Sequence, residues 1–127
     1  MENLLIEGTK YTPEISLDAQ KGSFSFKGKS YPENTFEFYE PVQEWISQYF
    51  TTSSSDKKTL ISFDVNYLNS SSIKFYYDLF EILEDSSKEG KDVIVQWFYD
   101  EEDDMALEAG EDFKEEYEDL TVNLVIK

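Results

Sequence analysis

The segment LISFDVNYLNSSS, residues 60–72, predicts a β-strand that leads directly into an α-helix. Apolar and polar residues alternate from Leu60 to Tyr67, which is the pattern of a strand with one buried face. Asn69 and the three serines that follow it are residue types that commonly cap helices. Apolar residues then recur at helical spacing, namely Ile73, Tyr76, Tyr77, Phe80 and Leu83, and the helix is expected to end before Gly90.

Toward the N-terminus, the alternating segments 15–17 and 23–26 predict a β-hairpin whose loop is 18–22. Ser30 is predicted to cap a helix that has Pro32 in its first turn. The apolar positions of that helix are Phe36, Tyr39, Val42, Trp45, Ile46 and Tyr49. Pro41 lies inside this pattern, so the helix either begins there or bends. Residues 51–58 are predicted to form a polar loop.

Toward the C-terminus, the nearly all-apolar segment 93–99 predicts a strand covered on much of both faces. An acidic run, residues 100–104, leads into a helix whose inner face is predicted to be Met105, Ala109, Phe113 and Tyr117. Alternation from Leu120 to Ile126 predicts a last strand. The order predicts a single α/β domain over residues 1–127, with a mixed sheet, an N-terminal antiparallel hairpin and about three packed helices.

The composition favours a folded, strongly acidic protein. Aromatic residues make up 17% of the chain, which supports a compact core, and the formal net charge is −17. That charge repels nucleic-acid phosphates and anionic lipids, so neither is an expected partner. An acidic protein that mimics nucleic acid remains an alternative, and its binding to a partner would weaken steeply with added salt.

The chain contains no cysteine and no histidine, which excludes disulfides, thiolate nucleophiles, Ser-His-Asp triads and common zinc sites. The run from Asp100 also fails as an EF-hand, because Met105 stands where the loop needs glycine. We therefore expect a protein that is not an enzyme and has no metal and no cofactor. No apolar run approaches a membrane span and no export signal precedes Leu4, so we expect a cytoplasmic protein.

Three hydroxyls and an amide lie where the strand 60–67 gives way to the helix. A helix N-terminus carries unpaired N–H groups and a partial positive charge, which together stabilise a phosphate group. Lys74, one turn into the helix, would add a matching charge. The alternative is that these serines are ordinary helix caps.

Three blocks of the sequence carry a family resemblance: EGTKYTPEI at residues 7–15, GKSYPEN at residues 28–34 and YLNSSS at residues 67–72. The segment WFYD, residues 97–100, reinforces them. With these blocks the chain resembles, over essentially its whole length, the SiaC family of bacterial regulatory phosphoproteins. Its predicted architecture also resembles the STAS-like anti-sigma-factor antagonists, which carry a regulatory hydroxyl at a strand-to-helix junction.

The resemblance implies a partner switch. In the family, a Ser/Thr kinase phosphorylates the first hydroxyl after the Leu-Asn pair and a PP2C-like phosphatase removes the phosphate. The unphosphorylated form binds and activates an output enzyme such as a diguanylate cyclase, which belongs to cyclic-di-GMP signalling. The matching position here is Ser70, whereas the family usually has threonine, so Ser71 and Ser72 stay open as acceptors. The expected partner-binding residues are Tyr31, Pro32, Glu33, Asn34, Tyr67, Asn69, Ser71, Ser72 and Lys74.

Overall fold

A computed structural model describes residues 1–52 and 57–127 of the chain. The strands are β1 (Leu4–Ile6), β2 (Glu14–Asp18), β3 (Ser23–Ser30), β4 (Lys58–Leu68), β5 (Asp92–Tyr99) and β6 (Thr121–Ile126). The helices are α1 (Thr35–Thr52), α2 (Ser70–Lys88) and α3 (Asp104–Glu116). Of the polar loop predicted over 51–58, residues 53–56 lie outside the described residues, and the flanking residues continue α1 and begin β4.

The strands form one six-stranded mixed sheet in the order β1-β2-β3-β4-β5-β6. β1, β2 and β3 pair antiparallel, and β3 to β6 pair parallel. Because successive parallel strands are neighbours, each connecting helix crosses the same face of the sheet. Alternate residues of β4 are accordingly buried, including Ile61, Phe63 and Val65. The predicted single-domain α/β fold with a mixed sheet and three helices is confirmed.

The parallel arrangement places the starts of all three helices together. β3, β4 and β5 run in the same direction, and each is followed in the chain by a helix. Their carboxyl ends therefore meet at one edge of the sheet, where α1, α2 and α3 begin. We call this the helix-start edge. Open α/β sheets bind their ligands at such an edge.

Aromatic rings fill the core between the sheet and the helices. Phe63 in β4 stacks on Phe80 in α2 with ring centroids 5.3 Å apart, and Phe80 stacks on Phe113 in α3 at 4.2 Å. Trp97 is 1% exposed, and its indole N–H donates to the carbonyl of Ala106 at 2.9 Å. This burial confirms the interpretation of Trp97 as a core residue. Among the described residues, every buried side-chain nitrogen and oxygen has a hydrogen-bond partner.

The start of α1 differs from the prediction. Ser30 is the last residue of β3 and is fully buried, so its prediction as a helix cap was wrong. Asn34 caps the helix instead, since its side-chain oxygen accepts from the backbone N–H of Glu37 at 3.0 Å. α1 begins at Thr35 and continues through Pro41. Burial of Tyr39 and of the apolar residues beyond the proline offsets the backbone hydrogen bond that Pro41 cannot donate.

Three residues predicted to lie on the inner faces of helices are exposed: Phe36 by 74%, Ile73 by 38% and Met105 by 79%. Tyr67, predicted to share the buried face of its strand with Phe63, is 50% exposed. In α3 the buried face begins at Ala106 and continues through Gly110. Both residues are small, so the hydrophobic pattern of the sequence did not indicate that they are buried. All three exposed residues lie in the first turn of a helix. None of the helices in the two described ranges is long and apolar enough to cross a membrane.

Candidate functional site

Ser70 is the first residue of α2 and its side chain is exposed. The residue that caps the helix is Asn69, whose side-chain oxygen accepts from the backbone N–H of Ser72 at 2.9 Å. Asn69 has extended backbone angles, φ −75° and ψ 171°, as an N-cap requires. Ser70 therefore does not cap the helix, and its exposed hydroxyl lies at the positive end of the helix dipole.

Ser71, also exposed, links the starts of two helices. Its hydroxyl lies 2.6 Å from the hydroxyl of Thr35 in α1, and it donates to the side-chain oxygen of Asn69 at 3.3 Å. The N-termini of α1 and α2 are therefore in direct contact at the helix-start edge. Sequence reasoning did not single out Thr35, and the signal that could have found it is its place directly after the SYPEN block.

Ser72 is fully buried and belongs to a cluster of hydroxyl groups. Its hydroxyl lies 2.7 Å from that of Ser30 and donates to the Ser30 carbonyl at 3.1 Å. The Ser30 hydroxyl lies 2.5 Å from that of Tyr39, which lies 3.3 Å from the hydroxyl of Tyr76. One direction of donation satisfies the whole cluster: Tyr76 to Tyr39, Tyr39 to Ser30, Ser30 to Ser72, and Ser72 to the carbonyl.

The tyrosines of this cluster are neutral over the physiological range. Burial raises the pKa of Tyr39, and it raises the pKa of Tyr76 well above its usual value. The cluster therefore joins the end of β3 to the first two turns of α1 and of α2 without a charge. In this structure the hydroxyl of Ser72 is sealed from any modifying enzyme, while the hydroxyls of Ser70 and Ser71 are accessible.

The SYPEN block lies beside the end of β4. Tyr31 is half-buried, and its ring packs edge-on against Tyr67 at 5.4 Å and against Tyr11 at 5.3 Å. Glu33 and Asn34 are exposed, and Pro32 is half-buried. The structure thus brings this block and the YLNSSS block together at the helix-start edge. Tyr11 was not among the predicted site residues, although it belongs to the EGTKYTPEI block.

Lys74 is exposed and lines a groove of about 730 Å³ between α1 and α2. Ser71 and Thr35 also line this groove, and Phe36 is its most exposed apolar residue. Its other charged lining residues are acidic, namely Glu40, Glu44 and Asp78. Lys74 is therefore the basic side chain that the groove presents near the start of α2.

The acidic run at the start of α3 has a structural role. Asp103 caps α3 by accepting from the backbone N–H of Ala106 at 3.0 Å. In the part of the chain that the structure describes, no three acidic side chains are placed to hold a metal ion together. The chemistry that the helix-start edge offers is an accessible serine at a helix N-terminus.

This chain is an α/β domain with accessible serines at a strand-to-helix junction, a place where the helix N-terminus would stabilise a phosphate group. The family comparison agrees: a model described as SiaC family regulatory phosphoprotein matches residues 6–127. The chain belongs to the SiaC family, and it is a regulatory protein and not an enzyme.

Relatives and solved structures are similar over nearly the whole chain. An uncharacterised protein of Pseudomonas aeruginosa is 36% identical over 118 residues, which are 91% of this chain and 90% of the relative. A crystal structure of diguanylate cyclase SiaD in complex with its activator SiaC, from the same species, contains a chain that matches with a TM-score of 0.91 and 31% identity. That match covers 98% of this chain and 99% of the other. Apo-SiaC of Pseudomonas aeruginosa matches with a TM-score of 0.86 and 33% identity, over 100% of this chain and 99% of the other.

Proposed function

We propose that this chain is a phosphorylation-controlled partner switch whose acceptor is Ser70. A Ser/Thr kinase adds the phosphate and a PP2C-like phosphatase removes it. The unphosphorylated form binds and activates an output enzyme, which we propose to be a diguanylate cyclase. Because protein kinases take their phosphate from ATP, we place this switch in the cytoplasm.

The observation that carries the proposal is the division of roles among the serines. Asn69 caps α2, Ser71 contacts Thr35, and Ser72 is buried against Ser30. Ser70 is exposed and is left with none of these structural roles. It also occupies the position at which the sequence blocks place the family's phosphate acceptor.

The local electrostatics support a phosphate at Ser70. A phosphoserine carries about −1.5 to −2 charges at neutral pH, and the start of a helix stabilises negative charge. The exposed ammonium of Lys74 lies one turn along the same helix. The phosphate would therefore cost the fold little, while it would change the charge and hydration of the helix-start edge.

The similar structures support the choice of partner. The SiaC with which this chain shares its fold at a TM-score of 0.91 is described as the activator of diguanylate cyclase SiaD. The match covers 99% of that chain, so the similarity extends over the whole regulatory domain. We therefore propose the same class of output enzyme for this chain.

Peptide mapping by mass spectrometry of the protein from its own cells tests the acceptor. We expect phosphate on Ser70, and no phosphate on that peptide in Ser70→Ala. Ser71→Ala is the matched control, since Ser71 is also exposed and it should leave the modification in place. A phosphate that persists in Ser70→Ala and disappears in Ser71→Ala would overturn the assignment of Ser70.

A cyclase assay tests the output. Purified SiaD, with GTP as substrate, should be activated by the unphosphorylated chain and less so by Ser70→Asp, which adds a single negative charge at the site. Ser70→Ala should activate as well as the unmodified chain. Equal activation by Ser70→Asp and by Ser70→Ala would contradict a switch at this residue.

A further inference from the structure

One face of the sheet is not covered by the helices. The helices α1, α2 and α3, which we call the helix layer, cross a single face, and Phe63 and Trp97 are buried beneath them. In residues 1–52 and 57–127, no helix crosses the other face, to which the alternate side chains Ser62 and Gln96 point. Parallel strands such as β3 to β6 normally have both faces covered.

Apolar side chains lie on this uncovered face. Leu60 in β4 is opposite Ile94 in β5, and Phe98 in β5 is opposite Val125 in β6. All four are half-buried, so part of each apolar surface remains in contact with water. The apolar residues of β5 thus predict a cover for both of its faces, of which the helix layer supplies one.

Between the two apolar pairs, one uncharged row of side chains crosses all six strands. The pairing register aligns this row in the order Leu5, Ser16, Ser25, Ser62, Gln96 and Asn123. We call the surface formed by this row and by the two apolar pairs the open face. An uncharged surface that spans the whole sheet is unusual in a chain of which 31% is charged.

The charged residues at the ends of the open face balance one another. Lys58 is opposite Asp92, and Lys27 lies between Glu14 in β2 and Asp64 in β4. The six strands together contain four acidic residues and three lysines, whereas the three helices contain 13 acidic residues and three lysines. The negative charge is therefore concentrated in the helix layer, and the open face is nearly neutral.

This distribution of charge favours a second copy of the chain as the partner of the open face. A two-fold dimer places a surface against itself, which suits a nearly neutral surface. Two copies that meet through their open faces hold their helix layers on the two outer sides, more than about 20 Å apart, where salt screens their repulsion. A basic partner would be attracted to the helix layer instead.

We propose that two copies of the chain pack open face against open face in a symmetric dimer. The two sheets would lie about 10 Å apart, with Ile94 and Phe98 in the interface between them. Ser70 belongs to the helix layer and stays exposed in this dimer. The inference is therefore independent of the proposed function, and its failure would leave the phosphate acceptor unchanged.

The size of the open face is sufficient for a reversible dimer. Six strands about 4.8 Å apart, each about five residues long at about 3.3 Å per residue, give a flat area of about 500 Å². Two copies would bury about 1,000 Å² in total, which is near the lower limit of specific interfaces. We therefore expect a dimer that dissociates on dilution.

The edge of the sheet at β6 is a less suitable place for self-association. β6 carries no charged residue and could pair with a second copy through its backbone. However, α3 packs beside β6, where Gly110 lies close to Leu124. Pairing through β6 would bring two α3 helices side by side, each with six acidic residues and one lysine. Their repulsion opposes that arrangement and does not oppose the dimer through the open face.

Sedimentation equilibrium of the purified full chain tests the proposal. The average mass should rise from that of one chain toward that of two as the concentration is raised from about 5 to about 500 µM. Gln96→Glu, which places a charge at the centre of the open face, should raise the dissociation constant about tenfold or more. Gln43→Glu is the matched control, because it makes the same change at a half-buried residue of α1, and it should dimerise as the parent does. A parent that stays monomeric throughout, or a dimer lost in Gln43→Glu and kept in Gln96→Glu, would overturn the proposal.

The salt dependence of the dimer tests the role of charge. Added sodium chloride should lower the dissociation constant, because it screens the repulsion between two chains that each have a net charge of −17. A dissociation constant that rises with salt would show that opposite charges hold the copies together, in contradiction to a neutral interface.

Cross-linking locates the interface independently of any loss of stability in Gln96→Glu. The chain has no cysteine, so a single introduced cysteine reports its own position. A two-fold axis that buries the whole open face passes near its centre, where Ser62 lies in one of the two middle strands. Ser62→Cys should therefore be joined to its copy by a bismaleimide with a spacer of about 15 Å. Ser47→Cys, exposed on α1, is the control and should stay uncross-linked; the opposite pattern would place the interface on the helix layer and refute the open face.

Discussion

The hydroxyl of Ser72 in α2 lies 2.7 Å from the hydroxyl of Ser30 at the end of β3. The Ser30 carbonyl accepts twice more from the same region, from the Ser72 hydroxyl at 3.1 Å and from the backbone N–H of Asn69 at 3.0 Å. The start of α2 is therefore fixed to the neighbouring strand immediately beside Ser70. Ser70, which we propose as the phosphate acceptor, therefore lies on a helix start that hydrogen bonds hold against β3.

Ser72→Ala should destabilise the protein by about 1–3 kcal/mol, the cost of leaving buried polar groups with fewer partners. The matched control is Ser70→Ala, which removes an exposed hydroxyl two residues earlier in the chain and should cost less than about 0.5 kcal/mol. Denaturant unfolding of the two variants and the parent measures the difference. Equal losses in the two variants would show that the buried hydroxyl cluster does not stabilise the fold.

Asn69→Ala should cost about 0.5–2 kcal/mol, because it removes the cap of α2. Asn69→Asp should restore most of that stability, since an aspartate at this position accepts the same backbone N–H from Ser72. Both free energies of unfolding can be measured in urea. If the aspartate variant is as unstable as the alanine variant, Asn69 stabilises the protein by a contact other than the cap.

Gly110→Ala should destabilise the protein although alanine is the better helix former. An added Cβ would meet Trp97 Cδ1 at 2.5 Å and Leu124 Cδ2 at 2.8 Å. Overpacking of this kind costs about 1–3 kcal/mol, whereas the gain in helix propensity is about 1 kcal/mol. We expect the cost to lie near the upper end of its range, so the net effect is destabilising. Near-UV circular dichroism should show a change at Trp97. Glu111→Ala, an exposed change on the same helix, should leave both the spectrum and the stability intact.

Tyr117 should make stability fall in alkali. Burial, followed by the nearby carboxylates of Glu116 and Glu81, raises the pKa of Tyr117 to about 12. Because tyrosine in an unfolded chain has a pKa near 10, the folded state holds the proton more tightly. The resulting stabilisation is fully present below about pH 10 and is lost as the pH rises through about 12.

Tyr117→Phe tests this pH dependence. The variant also loses the hydrogen bond from the Tyr117 hydroxyl to the Tyr77 carbonyl, so its stability is compared with its own value at lower pH. Between about pH 9 and about pH 11.5 it should lose less free energy of unfolding than the parent does. A slope for Tyr117→Phe equal to that of the parent would contradict the raised pKa.

The order of strands and helices was predictable because burial of one face gives the sequence a regular spacing of apolar residues. Alternation from Leu60 to Tyr67 predicted β4, which extends from Lys58 to Leu68. The helical spacing around Tyr39 and Ile46 predicted α1, and both residues are fully buried. These patterns are local, so a single sequence contains them.

The contacts at the helix-start edge were not predictable in this way. Ser30 and Ser72 are 42 residues apart, and nothing in either segment indicates that their hydroxyls meet. Ser30 was therefore predicted to be a helix cap, although it is the buried last residue of β3. Met105 was placed inside because its spacing to Phe113 suits a helix face, whereas the true face depends on Gly110 fitting against Trp97.

A phosphate on Ser70 should stabilise the folded protein, because it lies at the N-terminus of α2 and one turn from the ammonium of Lys74. Phosphoserine can be incorporated at position 70 during translation, so the test does not depend on knowing the kinase. The modified protein should be more stable than the parent by about 0.3–1 kcal/mol, the usual effect of a negative charge at a helix N-terminus. Lys74→Gln should reduce this gain, because it removes the opposite charge one turn away. Lys88→Gln, at the far end of α2, should leave the gain unchanged, and a phosphate that destabilises all three proteins would contradict its placement at the helix N-terminus.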